Sequence, residues 1–208
     1  MSKKKILFIM ILCMVIIIIG TNVVYGITEE YTVDADIIHI EDNDGNVTIK
    51  SHDTAAGNPV LMVGDPGFNT QRNAKGALKF DLSSVSETAI KRATLKVYTA
   101  WPGYGLPNIN VYPCSDDTWD DTSTIFPLAG KKLEEKIDST DINVNNWTTY
   151  DITDYVKSEF AGDKVVSIIL APESYAYKDY ICFYAKEYFF DKRPTLEVEY
   201  LDVIPPTV

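Results

Sequence analysis

The side chains able to do chemistry in this 208-residue chain are mostly carboxylates and aromatic rings. The only two histidines, His39 and His52, lie near the N-terminus, with no nucleophile elbow or metal-protease motif beside them. With 30 acidic residues, chance carboxylate pairs at glycosidase spacing are expected, and none is singled out. No catalytic residue is therefore expected. Asp42-Asn43-Asp44-Gly45-Asn46 sets oxygen ligands at alternate positions, as half of a calcium loop does, with Asp42 and Asp44 as candidate metal ligands. Gly45 comes too early for an EF-hand and no closing Glu follows, so the same run also reads as a hairpin turn with solvated acids. Asp116, Asp117, Asp120 and Asp121 surround Trp119; they make either a second acidic ion loop or a structural turn with Trp119 packed over the edge of the fold.

The aromatic residues gather in two segments rich in turn formers. Trp101-Pro102-Gly103-Tyr104 is one; Tyr175, Tyr177 and Tyr180 around Lys178 is the other. Lys75, Arg72 and Lys178 are the cations able to add charged contacts. Trp147 precedes Asp151-Ile152-Thr153 and reads as structural.

The elements that must hold these segments read as strand after strand. Tyr31 to Ile40 is rich in β-branched residues and is answered by Asn46 to His52 across Asp44-Gly45, a hairpin signal. Val60 to Val63, Lys75 to Leu82, Ile90 to Thr99, Asn108 to Tyr112, Tyr180 to Lys186 and Thr195 to Leu201 follow, most with period-two alternation. Val165 to Leu170 is apolar but for Ser167, as expected of a central strand covered on both faces. One helix is expected near Thr153 to Gly162, capped by Thr153, with Val156 and Phe160 on one face. Lys131 to Lys136 offers a weaker helical turn. The pattern predicts an all-β fold, a jelly-roll-type antiparallel β-sandwich with one short helix.

Lys3-Lys4-Lys5, the apolar run Ile6 to Ile19 and the small residue ending Val24-Tyr25-Gly26 have the order of a secretory signal peptide, expected at residues 1–26. The competing reading is an uncleaved N-terminal anchor; the run is short of the about 20 residues a membrane span needs, so cleavage is expected, with no membrane insertion after it. Residues 27–201 form the expected domain; 202–208 read as the start of a linker or tail. The net charge of −11 excludes nucleic acid as a partner, since its phosphates need Lys and Arg neutralisation. In an oxidising compartment Cys114 and Cys182 are free to pair; alternation places both on outward faces, which permits a bridge without requiring it.

Several of these segments are similar to those of a known family. Gly76-Ala77-Leu78-Lys79-Phe80-Asp81-Leu82-Ser83-Ser84, then Ala93-Thr94-Leu95-Lys96-Val97-Tyr98, Val111-Tyr112 with Asp116-Asp117-Thr118-Trp119, and Thr149 to Val156 come in the family's order and spacing. Phe183 to Glu187 and Arg193 to Val198 resemble its closing strands. Together they resemble the DNRLRE, or disaggregatase-related, domains, grouped as family-96 carbohydrate-binding modules, across about Val33 to Leu201. A second tryptophan frequent in that family is replaced here by Thr124-Ile125-Phe126. The resemblance implies a β-sandwich of secreted polysaccharide-degrading or surface proteins, with characterised members binding uronic-acid polymers. The acidic balance of this chain suits a neutral glycan better.

A sugar ring presents an apolar C–H face that stacks on an exposed aromatic ring, while polar side chains read its hydroxyls. Trp101, Tyr104, Tyr175, Tyr177 and Lys178 are therefore the expected carbohydrate-binding residues. The expectation is a secreted, non-catalytic module with polysaccharide as its partner, alongside further domains of the same protein and with a structural calcium ion as its one cofactor. A structural or adhesive domain of the cell envelope is the alternative.

Overall fold

In the computed structural model, residues 17–19, 22–67, 72–85, 89–103, 105–127, 133, 135–188 and 191–203 are described, with side chains for those of them within 27–201, Arg72 excepted. Most of the expected signal segment, Tyr104 and residues 204–208 of the tail lie outside the described residues. The strands are β1 (Ile17–Ile19), β2 (Asn22–Thr32), β3 (Ala35–Asp42), β4 (Val47–Lys50), β5 (Asp53–Ala55), β6 (Asn58–Gly64) and β7 (Arg72–Asp81). They continue with β8 (Ala89–Pro102), β9 (Ile109–Pro113), β10 (Asp138–Thr140), β11 (Trp147–Asp151), β12 (Val165–Pro172), β13 (Tyr180–Tyr184) and β14 (Thr195–Val203). The helix α1 (Thr153–Phe160) precedes β12.

These strands form one curled, antiparallel path, β1-β2-β14-β8-β13-β6-β7-β12-β9-β10, with β11 beside β8, β3 and β4 beyond β7, and β5 beside β6. β6 and β7 meet through a single pair, Gly64↔Ala74, and there the sheet folds over into two walls. One wall holds β2, β14, β8, β11, β13 and β6; the other holds β4, β3, β7, β12, β9 and β10. This is the antiparallel β-sandwich with a single short helix that the alternation predicts.

The alternation also explains where the core sits. Ile38, Leu78, Phe80, Ile168, Leu170 and Val111 turn into the space between the walls, opposite Leu95, Val97, Phe183, Leu196 and Val198. Their neighbours turn the other way: Ile37, Ala77 and Ile169 stand opposite one another across three strands, next to Tyr112 on β9. This outward face is buried too. The segment after β9 folds back over it, and Cys114, Trp119 and Phe126 complete a second, smaller core. β12, covered on both faces as expected, is buried from Val166 to Pro172.

Several expectations need correcting. The run Tyr31 to Ile40 is two strands: it breaks at Val33-Asp34, so that β2 pairs with β14 and β3 with β7. Asp34 fixes the break by accepting the Asp81 N–H at 2.6 Å. The β3–β4 hairpin forms as expected, with Gly45 at φ +77°. Cys114 and Cys182 are buried in separate cores, Cys114 in the outer one and Cys182 in the main one, so they do not bridge to each other. Thr153 does not cap α1. It is the first helical residue, and its N–H and hydroxyl both donate to Asp151 Oδ1, at 3.0 and 2.5 Å. The described residues of the run 131–136 are not helical. β11 was missed as a strand, although Thr148 and Tyr150 alternate inward, both wholly buried.

Candidate functional site

Three loops meet where β6 and β8 end and β13 begins. β13 pairs with β8 through Cys182↔Trp101 and Ile181↔Pro102, and with β6 through Tyr180↔Gly64. Backbone bonds extend the contact beyond the strands: Gly103 N–H donates to Tyr180 O at 2.8 Å, Asp65 N–H to Asp179 O at 2.8 Å, and Gly105 bridges Asp179. The two aromatic segments that the sequence keeps over seventy residues apart are thus neighbours.

Trp101 faces solvent because of a bulge. Counting by twos from Val97 and Thr99, both fully buried, would put Trp101 on the inner face. Between Thr99 and Trp101 the register with β13 slips by one residue. Ala100 takes the inward position against the core, and Trp101 stands 52% exposed. In the adjoining loop Tyr177 is 58% exposed, its hydroxyl donating to Gly67 O at 3.3 Å, with Lys178 Nζ 5.1 Å from the Tyr177 ring centre. Gly67 has φ +63°, and a Cβ there would run into the Lys178 side chain. Gly103 likewise leaves room for the Tyr180 ring, whose Cδ1 would lie 2.5 Å from an added Cβ. Asp65, in the Gly64-Asp65-Pro66-Gly67 turn that ends the strand, is wholly buried and accepts the Gly67 N–H at 2.8 Å, so it shapes this loop. Asp-Pro-Gly is its legible signal.

Tyr175 differs from its neighbours. Its hydroxyl is buried, and burial pushes its pKa up, with Tyr112 and Glu41 nearby. Its ring is not a free platform. Lys75 lies elsewhere, opposite His39 on the far wall. A surface depression bordered by Lys91, Arg92, Asp151, Asp154 and Glu199 contains no aromatic ring.

The acidic runs have local roles. Asp42 Oδ1 accepts the N–H groups of Asp44 and Asn46 at 3.0 and 2.9 Å, closing the turn that exposes Asp44. Trp119 is 3% exposed, packed over the outer face of the sheet, not its edge. Lys79 donates to Trp119 O beneath it. Asp117, Glu159 and Asp163 bring carboxylate oxygens within 4.8 Å of one another, and partial burial raises the Asp117 and Glu159 pKa values. Asp36 is wholly buried, with Oδ2 accepting the Lys186 N–H at 2.6 Å; burial, reinforced by Glu187 and Asp121, pushes it up to about 8.

The histidines do not assemble a relay. His39 packs against Phe126 with ring centres 5.1 Å apart, and burial lowers its pKa. Ser51 Oγ and Glu187 Oε2 both meet Nδ1 of His52, at 3.2 and 3.3 Å. A Ser-His-acid relay needs its acid and its hydroxyl on opposite ring nitrogens.

A curled sandwich with exposed aromatic rings around a braced loop end has the construction of a module that holds a ligand on its surface. The family comparison agrees: residues 61–200 match carbohydrate-binding module family 96, and the chain belongs to that family. No curated protein matches the chain. No helix among the described residues is long and apolar enough to cross a membrane.

Proposed function

We propose that this protein is an exported, non-catalytic module that binds polysaccharide at or outside the cell surface through Trp101, Tyr177 and Lys178. The observation that carries the reading is Trp101, turned out by a bulge, with a second exposed ring and a lysine in the adjoining loop, in a chain of a carbohydrate-binding family. The sugar stacks on the rings, and Lys178 donates to its oxygens. The test is a binding screen of the purified protein against alginate, pectin, neutral glucans and envelope glycans, with calcium and with chelator. Saturable binding to one class is expected, and loss with chelator assigns the expected structural ion. A folded sample that binds nothing transfers the weight to a structural envelope domain.

Export rests on the basic, apolar and small-residue order of residues 1–26. Cleavage after Gly26 keeps the β2–β14 pairs from Tyr200↔Ile27 to Thr195↔Thr32 and gives up those at Gly26, Tyr25 and Val24. N-terminal sequencing of the exported product is expected to begin at Ile27; a start inside residues 28–32 would cut into the paired strand and contradict the assignment.

A further inference from the structure

Beyond the loop end, the outward side of the β8 wall carries a second aromatic set. Trp147 of β11 meets Tyr98 of β8 edge-on at 5.4 Å, and Tyr184 of β13 stacks with Tyr98 at 5.8 Å, the planes 27° apart. Tyr188 stacks on Tyr184 at 3.5 Å and 19°. The four rings make a row across three strands and the turn after β13. Two lysines overhang it: Lys96 Nζ is 5.4 Å from the Trp147 ring, and Lys192 Nζ is 4.3 and 5.9 Å from Tyr98 and Tyr184.

Each of the four rings is half-buried rather than sealed. The hydroxyls are already ordered, Tyr98 donating to Asn145 O at 2.6 Å and Tyr184 bonded to Tyr188, which pushes Tyr184 up to about 12. Lys96 is paired with Glu30 and Glu197. Lys192 has no carboxylate partner among the described residues, in a chain of net charge −11. An ammonium held over rings and left without an acid is placed to donate to oxygens of something else. The bulge at Ala100 brings Trp101 onto the Tyr98 side of β8, so the row runs on from the loop end.

We infer that this row is a binding track for a linear pyranose polysaccharide, extending the Trp101 contact along the sheet so that successive sugars are held together. The inference rests on the carbohydrate-binding reading above. The row is continuous, with neighbouring ring centres 5.4 and 5.8 Å apart. Lys192 then donates to hydroxyl or carboxyl oxygens of the sugar over Tyr98.

Titration calorimetry with the wild-type protein, Tyr188→Ala, Lys192→Ala and Trp101→Ala tests it. The probes are alginate, pectin, a neutral β-glucan and a mannan, with their dimer-to-hexamer fragments. Wild-type affinity should rise with fragment length, and Tyr188→Ala and Lys192→Ala should each cut hexamer affinity about tenfold while leaving dimer affinity unchanged. Trp101→Ala should weaken every length. Unchanged melting temperatures in the two row variants show that the fold is kept. Row variants with wild-type length dependence, beside a Trp101→Ala that loses binding, overturn the track and leave the loop site standing. A wild-type protein that binds none of the probes overturns both readings.

Discussion

The two walls of the sandwich treat their outward faces differently. On the β3-β7-β12-β9 wall the face is apolar, with Ala35, Ile37, Ala77 and Ile169, and the segment after β9 covers it with Trp119 and Phe126. On the β8 wall the outward side chains are Tyr98, Trp147 and Tyr184 with lysines over them, and all remain part-exposed. An outward aromatic residue is therefore not in itself a contact for ligand. What decides is whether the strand beneath is apolar enough to demand a cover. Aliphatic residues draw in a lid; ring, hydroxyl and ammonium groups tolerate water.

The sharpest way to break this contrast is Trp119→Ala. Truncating a buried tryptophan should cost about 3–5 kcal/mol of stability in urea unfolding, without changing glycan affinity in the protein that remains folded. An affinity loss at unchanged stability would make the covered face functional. Next comes the buried carboxyl at the wall's margin. Asp36 has a raised folded pKa, so the native state keeps its proton longer than the unfolded chain, and stability falls as pH rises from 3.8 through about 8. His39 acts in the opposite sense: its lowered folded pKa makes stability fall as pH drops below its ordinary 6.5. Thermal melts of Asp36→Asn from pH 4 to 9 should lose the alkaline slope and sit above wild type at pH 8; an unchanged slope would mean that Asp36 does not titrate there.

Trp101→Ala should leave the melting temperature nearly unchanged and weaken glycan binding by about 1 kcal/mol, roughly a factor of five to ten. A stability loss at constant affinity would turn Trp101 into packing. The smallest effect is expected on the open wall's ion pairs. Lys96→Met removes its contacts to Glu30 and Glu197 at a half-exposed site and should change stability by less than about 1 kcal/mol.

The strands and the family were legible because alternation is local: Leu95, Val97, Leu196 and Val198 mark their faces by spacing alone, and the run Val165 to Leu170, apolar but for Ser167, announces a strand buried on both sides. The source of that second cover was not legible, since nothing in Trp119 or Phe126 says which face they meet. The site was half legible. Trp101, Tyr177 and Lys178 stand out by type and turn context, but their juxtaposition follows from strand pairing across more than seventy residues. The exposure of Trp101 depends on the one-residue slip at Ala100, which a period-two count cannot foresee. Tyr98 and Tyr184 were not singled out and Trp147 was read as structural, because these rings meet only through strand pairing.

Long β8 sets a direction for the whole molecule. Its start, Ala89, is paired with Leu201 of β14, itself beside Gly26 of β2, while its end, Pro102, sits among the aromatic loops. Polypeptide joined before Ile27 or after Val203 therefore departs at one pole, and Trp101 lies at the other, roughly 40 Å away at the rise of a β-strand. With the proposed grip at Trp101, a tether at the other pole would make the sandwich a rigid outrigger, setting a fixed standoff between attachment and polymer.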